Sequence, residues 1–268
     1  MDILKKIFIL VLLLFPLGEI IRIDLGNGII LKPIDIGVGL IVFLWLIFKF
    51  KKSREVKQKN ILIPIFLFAT SAFFSLIINY SSLSFNQFLA SFTYLIRWVF
   101  YAGIFFVVSD FDKEVKKRIS NLLIIVGSLI VGLGYLQYFF YPSLKNLFYL
   151  GWDEHMYRMF STFLDPNFAG AFFVLFFLFI LNLFFKKKNI EIGLLLLLTL
   201  GAIFLTFSRS ALIVLIASSI LLLIFMDRKI WITLLLGIIF TVLAISSRYF
   251  NIENINLFRI VSTEARFE

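Results

Sequence analysis

The sequence predicts an all-α protein, a polytopic bundle of about nine transmembrane helices, and three observations carry that prediction. Of 268 residues, 61% are hydrophobic and only 16% are charged, whereas a soluble domain holds about half apolar and a quarter charged residues. The mean hydropathy is +1.02, which marks more apolar surface than one soluble core would bury. Apolar runs of about 20 residues, the length that crosses a hydrocarbon core, recur along the chain between short charged segments.

The same composition removes other classes. A chain this apolar is not intrinsically disordered. With no cysteine it is not a disulfide scaffold, and the single His155 leaves little for a metal centre. Neither a metal nor another cofactor is expected. The net charge of +10 would raise nucleic acid as a partner in a soluble protein. Here the basic residues cluster between apolar runs, so the charge reads as membrane topology, with lipids as partner and no nucleic acid. Lys5 and Lys6 precede an apolar stretch in the manner of a signal peptide. No small-residue cleavage site follows and further spans do, so this stretch reads as a retained first span.

In chain order the spans fall at about 3–18, 29–48, 61–79, 90–109, 119–140, 167–185, 190–207, 210–226 and 230–247. Lys and Arg number 2 at the N-terminus, 6 in 49–60, 4 in 110–118, 3 in 186–189 and 2 in 227–229. Those segments are every second connection. The alternate side holds only Arg22, Lys32, Lys145, Arg158, Arg248, Arg259 and Arg266. The positive-inside rule then puts the N-terminus in the cytoplasm and residue 268 on the outer face. Residues 1–247 form the transmembrane domain, with an outer loop at 141–166, and 248–268 begin a further outer loop.

One stretch tests this topology. Residues 189–226 form a nearly unbroken apolar run that would be about 57 Å long as a single helix. A bilayer core is about 30 Å thick, and both ends of the run carry cytoplasmic-type clusters, Lys186-Lys187-Lys188 and Arg228-Lys229. The run must therefore go out and come back. Its only polar break is Ser208-Arg209-Ser210, so Arg209 is expected at or slightly below the outer boundary, in a turn that neither Gly nor Pro marks.

Arg209 is the first candidate for chemistry, since an arginine near hydrocarbon costs about 2.5–3.5 kcal/mol at a helix centre and less toward the interface. It either snorkels to headgroups or faces a polar cavity. Arg158 adds weight to the cavity, because the string from Tyr157 to Asn167 leads straight into a span. Asp165 followed by Pro166 reads as an N-cap with proline at N1, with the helix N-terminus facing outward. Such an end beside arginines is a ready anion site. Arg97, seven residues inside the fourth span, either extends that cavity or pairs with a carboxylate such as Asp165. His155 is a lone loop histidine, more often solvated than catalytic. The phenylalanine clusters, including Phe172-Phe173 and Phe176-Phe177, read as lipid-facing and packing residues. Together these residues describe an outward, arginine-rich site suited to an anionic headgroup whose tail stays in lipid; a diphosphate-linked lipid fits, because Arg forks match phosphate oxygens.

Arg158 with Asp165-Pro166-Asn167-Phe168-Ala169-Gly170, followed about forty residues later by Ser208-Arg209-Ser210-Ala211, resembles the O-antigen ligase and polymerase family of bacterial envelope enzymes. Gly134-Tyr135-Leu136-Gln137-Tyr138 and Thr263-Glu264-Ala265-Arg266-Phe267-Glu268 add weaker matches. The resemblance is best over about 90–268. It implies glycosyl transfer at the outer face of the cytoplasmic membrane, from an undecaprenyl-diphosphate-linked glycan to an envelope lipid or glycan acceptor, without metal or nucleotide. By motif, Arg209 and Arg266 would hold the donor diphosphate, with Arg158 a helper and Asp165, Asn167 and Ser208 part of the substrate-binding site. In that family the base is a histidine in a large outer loop. That loop would begin near residue 248 and its histidine would lie beyond Glu268, so the chain looks truncated, with His155 the remaining candidate base.

The alternative reading is a transporter, flippase or non-catalytic binder of a lipid-diphosphate-linked sugar. Transport requires a charged path toward the cytoplasmic side, and the spans offer only Arg97 for it. A purely structural membrane subunit would leave Arg209 without a purpose.

Overall fold

Apolar runs of this length leave backbone amides and carbonyls no partner in lipid except one another, so helices are the expected outcome. In the computed structural model, which describes residues 2–26, 28–51 and 59–225, the chain is mostly helical. Among the described residues, eight α-helices stand where eight of the nine spans are expected. They are α1 (Asp2–Leu14), α2 (Pro33–Lys51), α3 (Lys59–Ile78), α4 (Phe85–Ser109), α5 (Lys113–Phe140), α6 (Pro166–Lys187), α7 (Ile190–Leu205) and α8 (Arg209–Phe225). Five of them, α2 to α6, are long and apolar enough to cross a membrane, which marks the chain as a membrane protein. The expected span 230–247 and the tail 248–268 lie outside the described residues.

Several boundaries differ from the apolar count, each for a local reason. The second span begins at Pro33 rather than 29, because β1 (Ile23–Asp24) and β2 (Ile30–Leu31) pair as a small antiparallel hairpin. The N–H of Lys32 donates to the Asp35 carboxylate at 3.0 Å, fixing the start of α2. The fourth begins at Phe85 rather than 90, because Ser84 and Gln87 form a capping box, which satisfies two end groups reciprocally. At 28 residues, α5 is about 42 Å long, and its polar first turns carry it past the hydrocarbon.

The chain divides into two compact units, Met1–Val126 and Gly127–Glu268, with the division inside α5. In the first unit, α2 packs on α1 and α4, and α3 packs on α4. Its core is Leu4, Phe8, Ile41, Val42, Trp45, Phe106, Val107, Phe111 and Ile119. Polar ties join α2 to α4 at two levels. Asp35 lies 3.1 Å from the Arg97 guanidinium and accepts from Tyr101 at 2.8 Å. Asp110 lies 2.8 Å from Lys49 and accepts from the Trp45 indole at 2.8 Å. Residue numbers rise together along both helices, so α2 and α4 run parallel, as two spans separated by one full return must. The apolar α3 buries none of its membrane-length window, the expectation for a lipid-facing helix.

In the second unit, α6 and α7 form a tight antiparallel hairpin. Lys188 takes a left-handed conformation (φ 47°) and donates its N–H to the Phe184 carbonyl, while the Asn189 side chain caps α7 by accepting from Glu191 N. Lys186 and Lys187 sit in the last turn of α6, where the helix dipole favours cations. The core includes Phe160, Phe173, Phe177, Ile180, Ile203 and Leu215, so Phe173, Phe176 and Phe177 are among the phenylalanines that pack inward. Gly127 admits Phe176 closely, since a Cβ there would stand 2.1 Å from its ring.

Candidate functional site

The site-bearing end of the second unit is built by the C-terminus of α5, the connection 141–165, and the junction of α7 with α8. The turn that neither Gly nor Pro marks in the sequence is made by Thr206, Phe207 and Ser208. Phe207 adopts φ 48°, a left-handed conformation costing a bulky L-residue roughly 1–2 kcal/mol. What holds it is Arg158. The guanidinium donates from Nε to the Thr206 carbonyl at 2.9 Å and from Nη2 to the Phe207 carbonyl at 3.3 Å. One residue on, Met159 N donates to the Leu205 carbonyl at 2.8 Å. Arg158 is 3% exposed, so its fork satisfies helix-end carbonyls that would otherwise be buried without donors. The sequence placed Arg158 beside a ligand; the structure places it under the turn that presents Arg209.

Gln137, near the end of α5, entered the sequence reading only within a weaker motif match, with no role assigned to it. Its Oε1 accepts from the N–H groups of Phe160 and Ser161 at 2.8 and 3.0 Å, and its Nε2 donates to the carbonyls of Tyr141 and Arg158 at 3.0 and 3.3 Å. One side-chain amide thus uses both its acceptor and its donors to pin both ends of the connection. The available signal was a single amide in an otherwise apolar, aromatic stretch, Tyr135-Leu136-Gln137-Tyr138. Ser161 adds a bond from Oγ to the Ile130 carbonyl at 2.8 Å. His155, Tyr157, Ser161 and Leu164 all have positive φ between 47° and 56°, a strained backbone that survives because these bonds over-determine it.

Asp165 caps α6 as expected. Its Oδ1 accepts from Asn167 N at 2.6 Å and Phe168 N at 2.8 Å, and Pro166 occupies the first helical position. Two N–H groups of that helix end, those of Asn167 and Phe168, are thus engaged by the protein's own carboxylate. The start of α8 is capped in a comparable way. Ser208 precedes it, with Oγ accepting from Ala211 N at 3.4 Å, and Arg209 is its first residue. A cation at a helix N-terminus opposes the dipole by about 0.3–1 kcal/mol. The Arg209 charge and the positive end of the α8 dipole thus lie together.

The two motifs meet at this point. Ser208 Oγ donates to Asn167 Oδ1 at 3.0 Å, across 41 residues, and lies 3.0 Å from Ser210 Oγ. Gly170 makes the approach possible, since a Cβ there would stand 2.7 Å from the Ala211 Cβ and 3.1 Å from Thr206 Oγ1. Arg209 is half-buried, while Asn167 and Ser210 are exposed.

Arg97 lies in the other unit, and its carboxylate partner is Asp35, not Asp165. The guanidinium also donates to the Ile30 carbonyl and sits over the Tyr94 ring, 4.9 Å from its centroid. The reason is topological: the hairpin before α2 brings Asp35 to the level of Arg97. His155 is partly buried, and its carbonyl accepts from Arg158 N at 3.2 Å. Arg266 lies outside the described residues. Among the described residues no group of three His, Cys, Asp or Glu side chains could hold a metal. No protein-family model matches the chain, and no curated protein or solved structure does either.

Proposed function

We propose that the chain is a membrane glycosyltransferase of the O-antigen ligase or polymerase type. It would transfer a glycan from an undecaprenyl-diphosphate carrier to an envelope acceptor or a growing chain. The observation that carries this reading is the Ser208–Asn167 hydrogen bond at 3.0 Å, because it joins in space the two motifs on which the resemblance rests and sets Arg209 beside them. Arg209 binds the donor diphosphate, with Ser210 and Asn167 lining the same exposed surface. Arg158, Asp165, Gln137 and Gly170 are positioning residues. In the reaction the bond from the anomeric carbon to the diphosphate oxygen breaks and the acceptor hydroxyl oxygen takes its place. The hydroxyl proton passes to a base, and the lipid diphosphate leaves with the electron pair. A guanidinium at that leaving group stabilises charge that grows in the transition state. Arg266 is assigned the second diphosphate contact through its motif, and His155 is the candidate base within this sequence.

The topology belongs to the same proposal: nine spans, N-terminus in the cytoplasm, and the Arg209 end outward in the inner membrane. It draws support from each unit separately. One end of the first unit collects Lys5, Lys6, Lys49 and Lys51, and the end of the second unit remote from Arg209 carries Lys186, Lys187 and Lys188. The transport reading depended on Arg97 as a charged path, and its engagement with Asp35 gives that reading no support.

The test is glycan transfer in proteoliposomes loaded with undecaprenyl-diphosphate glycan and a candidate acceptor. Arg209→Ala and Arg266→Ala should each cut turnover by about 100-fold or more, the scale of losing one transition-state donor, with the protein still inserted and folded. Arg209→Lys should recover only part, because one ammonium cannot reproduce a bidentate fork. Normal transfer by both alanine variants would overturn the assignment.

A further inference from the structure

The first unit contains a groove unrelated to the Arg209 site. Its volume is about 480 Å³, and α2, α3 and α4 all line it. Each helix contributes one stripe: Trp45 and Lys49 from α2, Leu62 and Ile65 from α3, Val99 and Phe106 from α4. Spacings of three, four and seven residues keep each stripe on a single helix face. α2 and α3 both pack against α4, and the groove runs between them. It extends from the level of Val42 to that of Phe50, about 12 Å along α2, entirely within segments that are membrane-length and apolar. Its walls are almost wholly apolar. The polar group is Lys49, at the same end as Asp110.

Charge identifies what the mouth of this groove faces. At that end of the unit the described residues include Lys5, Lys6, Lys49, Lys51, Lys113, Lys116, Lys117 and Arg118 against Asp2, Asp110, Asp112 and Glu114, a net charge of +4. The opposite end holds Arg22, Lys32 and Arg97 against Glu19, Asp24 and Asp35, which cancel. The Lys49–Asp110 pair and the pairing of Lys5 with Asp2 and Asp112 engage two cations of the eight, and Lys51, two residues on from Lys49, is exposed. An apolar slot within the hydrocarbon, ending under a net positive rim, matches a molecule with an acyl chain and an anionic head. We propose that the groove is a binding site for an anionic phospholipid of the leaflet on the basic side. One acyl chain lies along Trp45 and Val99, and the phosphate sits at the rim beside Lys51. Basic pockets between transmembrane helices take anionic headgroups on this principle. The inference rests on the first unit alone and stands apart from the proposed transferase activity.

Trp45 lines the groove and is buried among its walls, so it reports on what enters. The experiment uses the full chain with Trp98, Trp152 and Trp231 replaced by Phe, reconstituted in phosphatidylcholine vesicles with brominated-chain phosphatidylglycerol or brominated-chain phosphatidylcholine. Brominated phosphatidylglycerol should quench Trp45 at a mole fraction about fivefold lower than brominated phosphatidylcholine, the preference that about one effective cation confers. Lys51→Gln should shrink that preference while leaving quenching by phosphatidylcholine unchanged. Leu62→Phe and Val99→Phe, each a partly exposed wall position that tolerates a larger side chain in lipid, should lower quenching by both lipids. Equal quenching by the two lipids, untouched by the wall variants, would mean ordinary lipid at the protein surface and overturn the proposal. No quenching by either would mean that protein fills the groove, which also overturns it.

Discussion

Arg158 shows at the residue scale how a charge can serve a site without touching its ligand. A guanidinium buried at 3% exposure is tolerated because two carbonyls of the α7–α8 turn receive its protons, and a lysine in its place would satisfy only one with good geometry. Arg158→Ala leaves both carbonyls without that donor, and unfolding in detergent should fall by about 2–4 kcal/mol. Arg158→Lys should fall between the two. Thermal or SDS unfolding measures this directly. If Arg158→Ala unfolds like the parent yet loses substrate binding, Arg158 is a ligand contact and its placement under the turn is incidental. Gly170 offers a second residue-scale prediction. A methyl group 2.7 Å from the Ala211 Cβ must push α6 from α8 and stretch the Ser208–Asn167 bond. Gly170→Ala should therefore lower transfer about 10-fold or more, because displacements near 1 Å carry losses of that order. It should do so with little change in insertion, and unchanged turnover would show that the two motifs need not meet.

At the scale of elements, the helices were legible and their polar ties were not. An apolar run of membrane length is a strong signal because lipid leaves the backbone no alternative; helices stand at eight of the expected positions among the described residues, and five of them are long and apolar enough to cross a membrane. The partner of Arg97 was illegible, because Asp35 lies 62 residues away and reads in sequence as an ordinary first-turn acid. Only the hairpin of Ile23–Asp24 with Ile30–Leu31 sets the start of α2 at the level of Arg97. The position of Arg209 at a break between α7 and α8 was legible from length alone. That Arg158 fastens the break was not, since 48 residues separate the two. The Asp35–Arg97 tie has a measurable consequence. Removing one partner of a buried pair costs about 3–5 kcal/mol. Arg97 keeps the Ile30 carbonyl and the Tyr94 ring, so Asp35→Asn should cost less, about 2–3 kcal/mol. The double variant Asp35→Leu with Arg97→Met should be more stable than either single change. If the single variants add without interaction, α2 and α4 are held in register by apolar packing rather than by this pair.

For the molecule as a whole, the decisive quantity is which way the Arg209 end points, since glycan transfer from a lipid carrier on the outer face requires it outward. The argument for that orientation is electrostatic. Cytoplasmic segments accumulate Lys and Arg, and within each unit one end holds the basic clusters. In the second unit, Lys186 to Lys188 lie at the α6–α7 turn, a full helix length from the α8 start where Ser208 meets Asn167. The chain has no cysteine, so single substitutions report topology without background. Asp153→Cys, in the connection before α6, should react with a membrane-impermeant maleimide in intact cells. Lys187→Cys should react only after permeabilisation, and so should Lys6→Cys, because six crossings, α1 to α6, return the chain to the side on which it began. Labelling of Lys187→Cys but not Asp153→Cys in intact cells would invert the second unit and place Arg209 at the cytoplasmic face. That result would remove the outer-face transferase reading while leaving the hydrogen-bonded turn, the Asp35–Arg97 pair and the lipid groove as they stand. Agreement of Lys6 with Lys187 would require an even number of crossings between them, as six spans α1 to α6 supply.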